Sequence, residues 1–401
     1  MKKEIVNHWR NYFESIDNQN KTYKLFIETA YGCHGSCQGC PIPIDKRKET
    51  NPKWNVENLD MVLSSFSDYL LNWRKENDLK NIENLAVTIG PAENFIFEDE
   101  YLKNLAIIIK NFQQKIHSKN FHLAISTSGL FKKEKIIPKI KILKEVLNEN
   151  ELAIAYIINM RQFQKTPQHY YQFAEMLFEN VHLVELEINM DSNLSNFSED
   201  ELKNFSNFVN QFPFIQLDFA YAINDGNTTK TYLKNNDFYH FIEKIRILSN
   251  AKEKKYFSQW HEKMIVNENI DFNFNDHFEN LFQNIIHKSI RLNSLGQWHF
   301  AKNILGTLYY DENFKFNPLA IGFNNPFEIK NILAFKKQLY KFLNDILLKN
   351  KTCEQCNFKN ICLESGFLSY KKFSQKNEND CSNPAFQIFK NNNEKPNHIN
   401  V

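Results

Sequence analysis

Tyr23–Cys40 reads Tyr-Lys-Leu-Phe-Ile-Glu-Thr-Ala-Tyr-Gly-Cys-His-Gly-Ser-Cys-Gln-Gly-Cys. Its first part is a strand-length run, and Lys24–Thr29 is expected to be extended. Its second part is a C-x3-C-x2-C loop that places Cys33, Cys37 and Cys40 directly at the strand's end. The chain has seven cysteines, and the other four form a second group: Cys353-x2-Cys356-x5-Cys362, completed by Cys381. Three thiolates on one short loop can hold three irons of a cubane cluster and leave the fourth iron open. Four thiolates in a compact segment can close a site completely. A disulfide framework fits poorly, because the count is odd, the chain is long and no secretory signal is visible.

Outward from Tyr23 the chain alternates between strand and helix. A helix over 56–75 carries Leu59, Val62, Leu63, Phe66, Leu70 and Leu71 on one face. There follow a strand at 85–89, a helix at 99–118, a strand at 123–126, a helix at 132–148 and a strand at 152–158. A helix at 167–179, a strand at 183–189, a helix at 198–212 and a strand at 214–222 complete the series. Such alternation means parallel strands joined by right-handed crossovers, and six units are too few for a closed eightfold barrel. The expected fold class is therefore α/β, a partial (β/α)6 barrel with a small C-terminal iron–sulfur domain.

In strand five, Glu185, Glu187 and Asn189 alternate with Val184, Leu186 and Ile188. In strand six, Gln216 and Asp218 alternate with Ile215, Leu217 and Phe219. With period two the apolar set packs on helices and the polar set lines a wet lumen, since the reverse would bury carboxylates under helices. Glu187 and Asp218 are thereby candidates for substrate contact or deprotonation, beside an equally available role as lumen-lining residues.

The domain expectation is an N-terminal extension at 1–22, the barrel at 23–235, a helical bridge at 236–300, an auxiliary domain at 301–389 and a disordered tail at 390–401. Within the auxiliary domain, 305–318 reads as a hairpin and 327–348 as a helix. Forty-nine basic against 47 acidic residues give a net charge of +2, so no overall field points to nucleic acid or anionic lipid. The longest apolar runs are strand-length, which gives no membrane span, and a soluble cytoplasmic protein is expected.

The C-x3-C-x2-C loop after strand one of a partial α/β barrel resembles the radical S-adenosylmethionine (SAM) superfamily. That resemblance implies a 4Fe–4S cluster on Cys33, Cys37 and Cys40 and S-adenosyl-L-methionine on the open iron. Gly90-Pro91-Ala92-Glu93, at the end of strand two, resembles the family's Gly-Gly-Glu motif and implies that Gly90 and Glu93 hold the SAM amino group. Ser126-Thr127-Ser128-Gly129 occupies the place of its polar segment after strand three, which makes Ser126 and Ser128 cofactor-binding candidates. Arg161, just after strand four, is a candidate partner of the SAM carboxylate. The residue before the third cysteine, usually aromatic in the family, is Gly39 here.

The C-terminal Cys353, Cys356, Cys362 and Cys381 resemble the second auxiliary cluster of SPASM domains, although a structural zinc ribbon suits the same spacing. The cysteines of the first auxiliary cluster are missing, and Gly366 stands where another cysteine is usual, so one auxiliary cluster and two 4Fe–4S clusters in all are implied. The resemblance also implies a peptide or protein substrate and an electron donor such as flavodoxin or ferredoxin. Modification of a small molecule or tetrapyrrole precursor is the alternative within enzymes. A non-catalytic iron–sulfur or zinc protein is the alternative outside them.

Overall fold

The computed structural model describes residues 4–9, 21–33, 46–91, 93–189, 197–220, 241, 244–245, 248, 274–300 and 322–347. Its centre is a sheet that begins with β1 (Thr22–Ala30), β2 (Asn84–Pro91), β3 (Asn120–Thr127), β4 (Leu152–Asn159), β5 (Leu183–Asn189) and β6 (Gln216–Ala220). These six strands are parallel and lie side by side in chain order. Between them run α1 (Val56–Glu76), α2 (Asp99–Lys115), α3 (Lys133–Lys144), α4 (Met160–Lys165), α5 (Pro167–Asn180) and α6 (Glu199–Gln211). A parallel pair needs such a crossover, and each helix supplies the apolar stripe that covers the sheet.

Local chemistry fixes the helix starts. Asn55 caps α1 by accepting from the amides of Glu57 and Asn58, and Arg74 and Lys75 stand in its last turn, where the helix dipole favours cations. Ser198 and Glu201 form a reciprocal capping box at the start of α6. The short helix α4, which periodicity did not suggest, starts where the Asn159 side chain accepts from the Gln162 amide.

Period two divides the first five strands as expected, whereas Ile215, read with the helix-packed set of strand six, precedes that strand and packs on the opposite face. Leu25 and Ile27, Val87 and Ile89, Leu123 and Ile125, Ile154 and Tyr156, Leu186 and Ile188 are all buried in one continuous core with the helices. Each such side chain contributes roughly 1.5–3 kcal/mol when removed from water. The opposite face carries Glu28, Thr88, His122, Ser126, Glu185, Glu187 and Gln216 among alanines. That distribution decides the orientation: carboxylates stay off the helix side, and Glu185 and Glu187 are only half-buried.

This polar face is not wet along its whole length. Residues 4–9 are helical, and Val6 and Trp9 pack on Ala86, Ala124, Ala153, Ala155, Leu183 and Ile215, at the amino ends of the strands. Small side chains there leave room for one indole, and the Trp9 ring meets His122 edge-on with centroids 4.2 Å apart. This face thus has an apolar floor, built from the N-terminal extension, whose helix carries Val6 and Trp9 into the core.

The expected helical bridge is helical over α7 (Phe274–Lys288), but its last residues enter the sheet. Strand β7 (Ser289–Leu292) pairs parallel with β1, and β8 (Trp298–His299) pairs antiparallel with β7. Ile290 and Leu292 are fully buried while Arg291 projects to the other face, a period too short to outvote the helical pattern before it. The final helix among the described residues, α8 (Ile329–Leu347), lies within the expected 327–348. The hairpin at 305–318, the cysteines after 350 and the tail at 390–401 lie outside the described residues. No helix among the described residues is long and apolar enough to cross a membrane.

Candidate functional site

At the carboxyl end of β1 three chain segments converge on Gly32. The Glu93 amide donates to the Gly32 carbonyl at 3.0 Å, and the Cys33 amide donates to the Arg47 carbonyl at 2.9 Å. The second bond ties the entry of the cysteine loop to the segment that leaves it. A Cβ at Gly32 would collide with the Glu49 carbonyl oxygen and meet Ile96 Cδ1 at 2.7 Å, so only glycine fits where the chains cross. Gly32 was not foreseen; a glycine directly before the first cysteine was the available signal. Cys33 is half-buried, while Cys37, Cys40, Cys353, Cys356, Cys362 and Cys381 lie outside the described residues. Among the described residues no three His, Cys, Asp or Glu side chains gather in a metal-ligating group.

Glu93 is the most constrained acid of this region. It is fully buried, and its Oε2 accepts from the Thr127 hydroxyl at 2.9 Å, the Ser128 amide at 2.9 Å and the Ser128 hydroxyl at 3.0 Å. Its Oε1 accepts only a long contact from the Phe95 amide, at 3.4 Å. Burial pushes the carboxyl up to about 7, against the opposing pull of these donors. No cationic side chain among the described residues pairs with it. Beside it Asn94, also fully buried, accepts from the Thr29 hydroxyl, which couples the end of β1 to the turn after β2.

The other expected cofactor residues fall into two groups. Gly90 stands in register with Glu28 of β1, and a Cβ there would meet the Phe26 ring at 2.8 Å and Ser126 Oγ at 3.1 Å. Its lack of a side chain has a packing cause of its own. Ser126 is buried and donates to the Ile89 carbonyl at 2.8 Å, whereas Thr127 and Ser128 reach Glu93. The polar segment was legible, but which of its members bond the acid was not, because Thr127 looks in sequence like an ordinary strand end. Arg161 is half-buried in the first turn of α4, at the carboxyl end of β4. Glu187 and Asp218 are register partners on β5 and β6.

Two contacts between charged or titratable side chains were not foreseen. Arg291 of β7 lies 3.1 Å from the buried Glu28 carboxylate, with its guanidinium 4.9 Å from the Phe26 ring centroid. This pair shares the polar face with Gly90 and Ser126. Lower on that face His122 and Glu185 approach to 3.0 Å above Trp9.

The fold and this site define a parallel α/β protein whose strand ends gather one cysteine, a buried glutamate and a serine-rich turn. No family model and no curated protein matches the chain. Among solved structures it is similar to native anSMEcpe with bound AdoMet, with a TM-score of 0.52, 15% identity, and coverage of 92% of this chain and 95% of that one. A structure of anSMEcpe with bound AdoMet and Cp18Cys peptide gives a TM-score of 0.54 at 14% identity with the same coverage. At such identity the likeness establishes the fold.

Proposed function

We propose that this chain is a radical SAM enzyme acting on a peptide or protein segment. The observation that carries the reading is the placement of Cys33 at the end of β1, clamped to Arg47 and joined through Gly32 to the buried Glu93, in a fold shared with AdoMet-bound anSMEcpe. In this reading β1–β6 form the wall of a partial barrel, and Cys33, Cys37 and Cys40 hold a 4Fe–4S cluster with one open iron.

The residues present suit the cofactor. Glu93 is a buried carboxylate that no cationic side chain of the described residues neutralises, with acceptor capacity left on Oε1. Such a group fits the ammonium of SAM, which would stabilise its charged form. Gly90, Ser126 and Ser128 flank it, and Arg161 is assigned to the SAM carboxylate. When bound, SAM and the cluster supply a 5′-deoxyadenosyl radical that abstracts hydrogen from the substrate. Glu187 and Asp218, register partners on β5 and β6, are assigned to taking the proton released on oxidation.

Cys353, Cys356, Cys362 and Cys381 are assigned to one auxiliary 4Fe–4S cluster in a reduced SPASM-like domain. A cluster closed by four thiolates has no open iron to bind SAM, so its part would be electron transfer or support of the fold. A peptide substrate is supported by the peptide-bound forms of anSMEcpe, and reducing equivalents would come from a flavodoxin or ferredoxin.

Anaerobic reconstitution tests the reading. Close to eight irons should bind, and dithionite should drive formation of 5′-deoxyadenosine from SAM. Alanine at Cys33, Cys37 and Cys40 together should leave about four irons and no cleavage. A wild-type protein that holds one zinc and about four irons would refute the auxiliary cluster. One that binds no SAM would refute the enzyme.

A further inference from the structure

We propose that His169 is a positioning residue of the Glu93 site, acting through the turn Ser126–Gly129; the inference rests on the functional reading above. His169 stands in the first turn of α5, and its Nε2 lies 2.8 Å from the Gly129 carbonyl oxygen. A carbonyl can only accept, so Nε2 carries the proton in this contact. Gly129 adopts a φ of +68°, and a Cβ on it would meet the Tyr156 ring at 2.6 Å. The turn is therefore wedged: Tyr156 supports it from the β4 side and His169 holds its carbonyl from the helix side.

What the turn delivers is the donor set of Glu93. Three of the four hydrogen bonds received by that carboxylate come from Thr127 and Ser128, the two residues before Gly129. The Gly129 amide in turn contacts Thr127 Oγ1 at 3.3 Å, so the hydroxyl that bonds Glu93 is itself set by the turn's backbone. If the Gly129 carbonyl loses its donor, the peptide can rotate, and all three bonds shift together rather than one at a time. A buried carboxylate stays charged only while such donors are aimed at it. His169 thus acts two steps away, through the Gly129 peptide and then through Thr127 and Ser128. Its other neighbours are aromatic: Tyr170 edge-on at 5.5 Å and Phe173 at 6.3 Å between centroids.

Two variants separate the donor from the ring. His169→Phe keeps the aromatic contacts and removes the donor, while His169→Gln removes the ring and retains an N–H. With the anaerobically reconstituted protein, His169→Phe should weaken SAM binding about ten-fold at unchanged iron content, and His169→Gln should recover most of it. A second readout needs no SAM: carbon-13 NMR of glutamate-labelled protein follows the Glu93 carboxyl directly. Its midpoint should rise in His169→Phe and return toward the wild-type position in His169→Gln. Wild-type SAM affinity in His169→Phe, or the same Glu93 midpoint in all three proteins, overturns the proposal. A wild type that binds no SAM sinks the functional reading instead and leaves the NMR arm to decide the role of His169.

Discussion

The Glu93 amide donates to the Gly32 carbonyl at 3.0 Å, so the acid after β2 and the residue before the first cysteine share one peptide contact. Through it a change at either residue is felt at the other. The cysteine loop gains a fixed point next to a fully buried carboxylate.

Glu93→Gln isolates the charge from the shape. With the folded carboxyl raised from its ordinary 4.5 to about 7, the folded state holds a proton that the unfolded state has released. Its contribution is fully present below about 4.5 and is lost as pH rises through about 7, a window worth roughly 3 kcal/mol at 1.36 kcal/mol per unit. Urea unfolding of the protein without SAM should show stability falling across that window in the wild type, and a flatter profile in the variant. The same variant should bind SAM about ten-fold more weakly with its iron content unchanged. Equal pH profiles would show that Glu93 is ordinary in the folded chain.

Gly90→Ala tests whether the glycine serves packing. Its new methyl would lie 2.8 Å from the Phe26 ring, inside contact distance, and overpacking of this kind costs about 1–3 kcal/mol. Adding Phe26→Leu should return much of the loss in a denaturation series, because it removes the colliding atoms. An undisturbed Gly90→Ala protein would mean that Phe26 moves aside freely, and that the glycine is there for a ligand alone.

Much of this fold was legible because it rests on period two and period 3.6 over long segments: β5 falls at Leu183–Asn189 and α5 starts at Pro167, as read from the pattern. The elements that escaped are short or depend on distant partners. Ser289–Leu292 is a strand only because β1 has an unpaired edge to receive it, and a four-residue run next to a helix carries too little periodicity to say so. Trp9 reads as one aromatic in a polar stretch, and only four alanines on three different strands make it a floor. At the site, Glu93 and the serine-rich turn were visible as motifs. The bonds from Thr127, the crossing at Gly32 and the salt bridge of Arg291 are tertiary facts with no local signature.

Trp9→Ala should therefore cost more than its place near the start of the chain suggests. The indole is fully buried, and removing it leaves a cavity lined by Ala86, Ala124, Ala153 and Ala155, which are too small to close it. Truncations of this size cost about 3–5 kcal/mol. Trp9→Phe should retain a good part of the stability. A loss under about 1 kcal/mol for Trp9→Ala in guanidinium unfolding would show that the floor does not hold in solution.

The Glu28–Arg291 pair calls for a double-mutant cycle, because its single and joint removal have opposite expectations. Glu28 is almost wholly buried and Arg291 nearly so, at 3.1 Å. Exposed pairs contribute little, but removing one member of a buried pair strands the other charge away from water at about 3–5 kcal/mol. Arg291→Met should thus be strongly destabilising, since it leaves the buried Glu28 carboxylate without the guanidinium. Glu28→Gln should cost less, because the guanidinium keeps the face of Phe26 and its long side chain can reach for solvent. In the double variant the stranded charge is gone, so its loss should be smaller than that of Arg291→Met alone, with a coupling of about 1–3 kcal/mol. Additive losses would mean that the two side chains do not meet in the folded protein, and that β7 is attached to β1 by its backbone and by Ile290 and Leu292 alone.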